Sequence, residues 1–149
     1  MHVALVEPEI PPNTGSIARL CAATGTPLHL IGTLGFSIDD KHLKRAGLDY
    51  WPWVDVRRHA DWAAFTAAVP GRRLGFSARA TRPYTSVAYA PGDVLVFGCE
   101  TRGLPAAIRD ELAAELYAIP IANPNVRSLN LANAVAIVLY EARRQLGLA

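Results

Sequence analysis

Residues 2–25 read HVALVEPEIPPNTGSIARLCAATG, and this stretch decides the fold class. His2 to Glu7 is an apolar run of strand length. A proline-rich turn follows, after which Asn13 or Thr14 is placed to cap a helix that carries Ile17, Leu20 and Cys21 on one face and stops at Gly25. The result is a strand-loop-helix unit. Outward from it the pattern repeats. Leu28 to Ile31 predicts a second strand, Asp39 and Asp40 open a short helix ended by Gly47, and Trp53 to Val56 predicts a third strand. A helix over Asp61–Val69 is stopped by Pro70 and Gly71. Leu74 to Ser77, Val94 to Phe97 and Tyr117 to Pro120 complete the strands, with a helix over Pro105–Ala114 between the last two. Alternation of this kind predicts an α/β domain spanning 1–149, with a parallel sheet covered by helices on both faces.

The last predicted helix, Leu129 to Leu146, differs from the others. Leu131, Ala134, Val135, Ile137, Val138 and Leu139 surround nearly its whole circumference, so burial on all sides is expected, most economically by a second copy of the chain. In that reading Val135 and Val138 face the partner.

Composition narrows the class. The chain has 149 residues, of which 51% are hydrophobic and 19% charged, as expected of a folded globular domain. Its net charge is only +2, too low for indiscriminate coating of nucleic acid. Basic residues instead cluster as Lys41, Lys44 and Arg45; Arg57 and Arg58; Arg72 and Arg73; Arg79 and Arg82; Arg143 and Arg144. Most read as solvated surface, and Arg72 as a distant surface arginine whose removal alters mainly the affinity for RNA and its salt dependence. Cys21 and Cys99 show no metal-ligand spacing with the four histidines and read as buried free thiols. No metal is expected. The longest apolar stretch, Ala134 to Tyr140, is far short of the ~20 residues of a membrane span, so no membrane association and a cytoplasmic location are expected.

Three loops follow predicted strands and open helices, where open parallel sheets bind ligands. In the first, residues 7–19, Asn13 can cap the helix and Arg19 lies about one and a half turns in; a plain surface charge is the alternative for Arg19. In the second, residues 97–105, Gly98 and Gly103 allow close backbone approach to a ligand, while Glu100 and Arg102 read either as an ion pair or as part of a site. The loop is neither a dinucleotide fingerprint nor a Walker sequence. In the third, residues 119–133, Ser128 reads as the cap of the last helix. Asn130 and Asn133, one turn apart, carry amides that need partners, either in the core or in a ligand network.

Together the segments EPEIPPNTG, RLCAxTG, DDKxLxRAGLDY, FGxETRGLP and SLNLANAV resemble the SPOUT superfamily of methyltransferases, in its 2′-O-ribose branch, and most closely the small bacterial family acting on the tRNA wobble cytidine or uridine. The resemblance implies a C-terminal deep trefoil knot, an exception to unknotted topology. It implies S-adenosyl-L-methionine as cofactor, held at Ser77, Gly98, Ile119, Ser128 and Leu129. It makes Arg19 the catalytic arginine, with Asn13, Glu100, Ser128 and Asn130 supporting it, and a homodimer in which Arg19 of one subunit approaches the cofactor of the other. The implied substrate is the anticodon stem-loop of tRNA, methylated at the position 34 ribose, in leucine tRNAs.

Arginine is effectively always protonated and is a poor general base, so electrostatic stabilisation and phosphate positioning fit Arg19 better than proton abstraction unaided by a substrate phosphate. Ser16 stands where asparagine is common in the family, and Arg79 where lysine is frequent. Tyr140 matches a position tied to the dimer and the substrate, although core packing explains it too. Two other functions share these features: a ribose methyltransferase for another tRNA position or for rRNA, and a non-catalytic cofactor-binding protein that binds RNA.

Overall fold

The computed structural model describes residues 1–39, 41–47 and 50–148. Asp40, expected to open a helix, and Leu48 and Asp49 of the DDKxLxRAGLDY segment lie outside the described residues. Strands β1 (His2–Val6), β2 (Leu28–Ile31), β3 (Val56–His59), β4 (Arg73–Phe76), β5 (Val94–Phe97) and β6 (Leu116–Tyr117) form one sheet in the order β3-β2-β1-β5-β4-β6, with every pairing parallel. Helices α1 (Pro11–Thr24), α2 (Lys41–Gly47), α3 (Trp62–Ala68), α4 (Ala106–Glu111) and α5 (Leu131–Gln145) alternate with them.

Strand residues alternate between two cores because the side-chain period of a strand is two. Val3, Leu5, Leu28, Leu30, Leu95 and Phe97 pack with Ile17 and Cys21 of α1 and with Val135, Val138 and Leu139 of α5. Ala4, Val6, Ile31, Val94 and Val96 face the other way, against Phe65 of α3 and Ile108 of α4. On that second face His29, fully buried, sits in a ladder of rings: its Nε2 lies 3.0 Å from His2 Nδ1 and its Nδ1 2.9 Å from His59 Nε2. Burial, together with the repulsion of its neighbours, holds the His29 pKa down at about 4.

Several expectations need correction. The third strand begins at Val56, because Trp51-Pro-Trp53 forms a 3-10 turn, and the edge strand that follows, Val-Arg-Arg-His, is too polar to announce itself. The cap of α1 is Ile10, followed by two prolines that lack the N–H a first helical turn leaves unpaired. Helix α5 is not buried all round. Val135, Val138, Leu139 and Ala142 are fully buried in the chain's own core, whereas Ile137 and Tyr140 are 37% and 47% exposed. Val135 and Val138 therefore face the sheet and cannot face a partner.

Most of the clustered basic residues are exposed, as expected, but some of them also have structural partners. Arg73 donates to the carbonyls of Thr66 and Val69 at the end of α3, and Arg143 to those of Thr24 and Leu148. These are the orphan carbonyls of helix and chain ends. Arg72 grips the buried carboxylate of Asp93 with two bonds, of 3.1 and 2.7 Å, so its role is structural. Both cysteines are buried and free as expected, and burial pushes the Cys21 thiol up to about 12. Among the described residues no helix is long and apolar enough to cross a membrane.

Candidate active site

Strand order reverses at β1: β2 and β3 extend the sheet to one side, β5, β4 and β6 to the other. The loops after β1 and β5 therefore separate above the carboxyl ends of the strands, the place where such sheets leave a crevice. Glu7, the first residue past β1, is the one non-glycine described with a positive φ, 51°. That strain turns the chain sharply into the Pro8–Pro12 approach to α1.

A cavity of about 630 Å³ opens at this edge. Ser77 after β4, Gly98 after β5, Ile119 after β6, and Ser128 and Leu129 before α5 all line it, so the five positions expected to hold a cofactor converge. Phe76 and Phe97, stacked 5.0 Å apart at 19°, supply an apolar wall, and Arg79, Arg102 and Arg127 also line the cavity. Phe76 and Arg127 were not singled out from the sequence. A strand-terminal aromatic at the start of a ligand loop was the available signal for the first. The Ser77 hydroxyl accepts from the Arg79 backbone N–H at 3.2 Å, which fixes the turn leaving β4.

The role of Gly98 differs from expectation. A Cβ there would lie 2.0 Å from the Gly103 carbonyl carbon and 2.1 Å from Leu104 N. Its missing side chain thus makes room for the chain's own backbone, closing a tight loop in which Gly103 N–H donates to the Cys99 carbonyl at 3.0 Å. Arg102 lies 3.7 Å from Glu9 and does not pair with Glu100. The Glu9 carboxyl is held below its ordinary range, first by the hydroxyl of Thr101, then by the Cys99 thiol, with Arg102 adding to them.

Glu100 instead organises the first loop. Its carboxylate accepts from the backbone N–H groups of Glu9 and Ile10, at 2.8 and 3.1 Å, and from Asn13 Nδ2 at 3.3 Å. Asn13, 9% exposed, accepts in turn from Asn130 Nδ2 at 2.9 Å. Asn130 then caps α5, its Oδ1 accepting from Asn133 N–H at 3.2 Å. This corrects the expectation of Ser128 as the cap: Ser128 is exposed on the cavity edge, and Asn130 lies before the helix, leaving Asn133 outside the network. Glu100, Asn13 and Asn130 thus tie all three loops together. With both oxygens engaged by N–H donors, Glu100 is a clamp between the loops.

Arg19 stands apart. Six residues beyond Asn13 it is displaced by about 9 Å along the helix and rotated to another face. It is exposed, does not line the cavity of its own chain, and its Nη2 donates to the Tyr50 hydroxyl at 3.2 Å. Its neighbours Ser16 and Leu20 line a separate groove with Asn13, Asn130 and Ala136 of α5. Among the described residues no group of three or more His, Cys, Asp or Glu is placed to hold a metal ion.

The model of the SpoU rRNA Methylase family matches residues 1–140. The tRNA (cytidine(34)-2'-O)-methyltransferase of Escherichia coli (strain K12) is 53% identical over 149 residues, covering 99% of this chain and 94% of that one. A solved structure bearing on the 2-OH methylation of C/U34 on tRNA superposes with a TM-score of 0.91 at 50% identity, over 98% of this chain and 95% of that chain. An AdoMet-bound rRNA methyltransferase from Sinorhizobium meliloti gives 0.86 at 30% identity, over 97% of this chain and 56% of that one.

Proposed function

The chain belongs to the SpoU rRNA Methylase family, and from that premise we propose that it transfers a methyl group from S-adenosyl-L-methionine to the 2′-hydroxyl of nucleotide 34, cytidine or uridine, of tRNA, with leucine tRNAs as its substrates. The observation that carries the reading is the convergence of Ser77, Gly98, Ile119, Ser128 and Leu129 on one cavity, bordered by the Glu100–Asn13–Asn130 network.

The cavity suits the cofactor. Its volume falls in the range of small-molecule sites, and its Phe76–Phe97 wall offers an apolar surface to an aromatic base. When bound, S-adenosyl-L-methionine supplies an electrophilic methyl on a sulfonium. The residues of this chain then orient and stabilise. Glu100, through Asn13 and Asn130, fixes the loops that frame the reaction. Arg79, Arg102 and Arg127 at the cavity favour a polyanionic substrate. Arg19 stabilises the developing oxyanion and positions a substrate phosphate, as a permanently charged fork can, and the hydroxyl proton leaves to solvent or to that phosphate.

Since Arg19 does not reach its own cavity, the reading includes a homodimer in which each subunit lends Arg19 to the other. The exposed Ile137 and Tyr140 of α5 and the adjoining groove support it. It also includes residues 1–149 acting as one domain in the cytoplasm, and a trefoil knot. In support of the knot, residues 117–118 run between two parts of the β4–β5 connection: Ser77 N–H donates to the Tyr117 carbonyl at 2.9 Å, and Ala118 N–H to the Arg82 carbonyl at 2.8 Å.

The test is methylation of tRNA transcripts by the purified protein with labelled cofactor, followed by mapping of the modified ribose. Label at position 34 of leucine tRNAs is expected. Label confined to another position or to rRNA overturns the substrate assignment, and no label on any RNA overturns the activity.

A further inference from the structure

Arg19 is an exposed side chain with four rotatable bonds, yet charge stabilisation requires it to stand in one place when the substrate arrives. The structure shows what holds it. Its guanidinium carbon lies 4.6 Å from the centroid of the Tyr50 ring, and its Nη2 donates to the Tyr50 hydroxyl at 3.2 Å. The cation–ring contact and the hydrogen bond to the same side chain together restrict where the guanidinium can stand. Tyr50 engages one N–H of Arg19, and the remaining N–H groups of the guanidinium are left to an anionic substrate.

Tyr50 is itself held. Its carbonyl accepts from Trp53 N–H at 2.9 Å, starting the 3-10 turn Trp51–Trp53, and Trp51 packs against the apolar core shared by α1 and α5. The turn that the Trp-Pro-Trp segment dictates therefore presents the ring of Tyr50 to α1 from a rigid base. We propose that Tyr50 is the positioning residue for Arg19, holding its guanidinium by a cation–ring contact and one hydrogen bond in the place from which it acts. This rests on the reading of Arg19 as the charge-stabilising group.

The experiment is a double-mutant cycle on methylation of the position 34 ribose, with melting temperature and cofactor affinity measured in parallel. Arg19→Ala is expected to lower kcat on the order of a hundredfold. Tyr50→Phe keeps the cation–ring contact and loses the hydrogen bond, so kcat should fall by roughly three- to tenfold with the KM for tRNA nearly unchanged. Tyr50→Ala should approach the loss seen with Arg19→Ala, and adding Tyr50→Ala to Arg19→Ala should lower kcat no further, because the two residues act as one unit.

Multiplicative losses in the double variant overturn the proposal, as does a Tyr50→Ala protein with full kcat. A rise in KM for tRNA alone overturns it too, assigning Tyr50 to RNA contact. Should Tyr50→Ala prove unstable, the Phe variant carries the test, and unchanged kcat for a stably folded Tyr50→Phe is then the overturning result. Normal kcat in Arg19→Ala is a different failure, since it removes the role of Arg19 itself.

Discussion

Replacing Gly98 by alanine tests the site at its tightest point. The added Cβ would lie 2.0, 2.1 and 2.3 Å from the carbonyl carbon of Gly103, the nitrogen of Leu104 and the oxygen of Gly103. Ordinary contacts between carbon atoms are about 3.5 Å or more, so backbone must move by roughly 1.5 Å. None of the three atoms belongs to a flexible side chain that could swing aside. The move also opposes the Gly103 to Cys99 hydrogen bond that closes the loop. Overpacking of this kind costs about 1–3 kcal/mol, and in a domain of this size each kcal/mol lowers the melting temperature by roughly 2–4 °C. Because the displaced loop also lines the cavity, calorimetric titration with S-adenosyl-L-methionine should show an affinity at least about tenfold weaker, which corresponds to roughly 1.4 kcal/mol. Gly92→Ala is the control. Its φ of +86° carries the left-handed strain, about 1 kcal/mol, but nothing lies within 4 Å of its Cβ, and cofactor binding should survive. Scanning calorimetry of Gly98→Ala at the wild-type melting temperature, with normal affinity, would refute the packing argument.

Asn130→Asp separates capping from loop tying: the carboxylate still accepts from Asn133 N–H, but the donor to Asn13 is gone. Methyl transfer should drop while the helical circular dichroism of α5 persists, and unimpaired transfer would make the network ornamental. For His29, the pKa is 6.5 in the unfolded chain and about 4 when folded, so below pH 6.5 the unfolded state binds the extra proton. Stability present above pH 6.5 is accordingly lost as pH falls towards 4, by about 3 kcal/mol from this residue. Urea unfolding at successive pH values should show the decline, and a His29→Gln protein with an equally steep decline would exonerate the buried ring.

Much of this was legible in the sequence because the parallel strands are short apolar runs bounded by turn residues, and Val94–Phe97 and Leu28–Ile31 appear where the pattern puts them. The edge strand Val56–His59 was displaced because its outward residues are charged and no apolar period marks them. The five positions that the family resemblance implies for a cofactor meet at one cavity. What could not be read were the partners of polar groups. Whether Arg72 is free or locked to Asp93, whether Arg102 turns to Glu9 or Glu100, and whether Asn130 or Ser128 caps α5 depend on contacts between distant segments. The apolar girth of α5 was equally ambiguous, since periodicity does not say how much of a helix its own sheet will cover.

The tie between Glu100, Asn13 and Asn130 has a bearing on biosynthesis. It joins positions 87 and 117 residues apart, and its last member leaves the ribosome after every strand of the sheet. A chain grown only through the loop after β5 contains the Glu100 partner of Asn13 Nδ2 but not the Asn130 donor to Asn13 Oδ1. The frame closes only with Asn130 at the start of α5, so the loop that follows the last strand is the one that ties the other two.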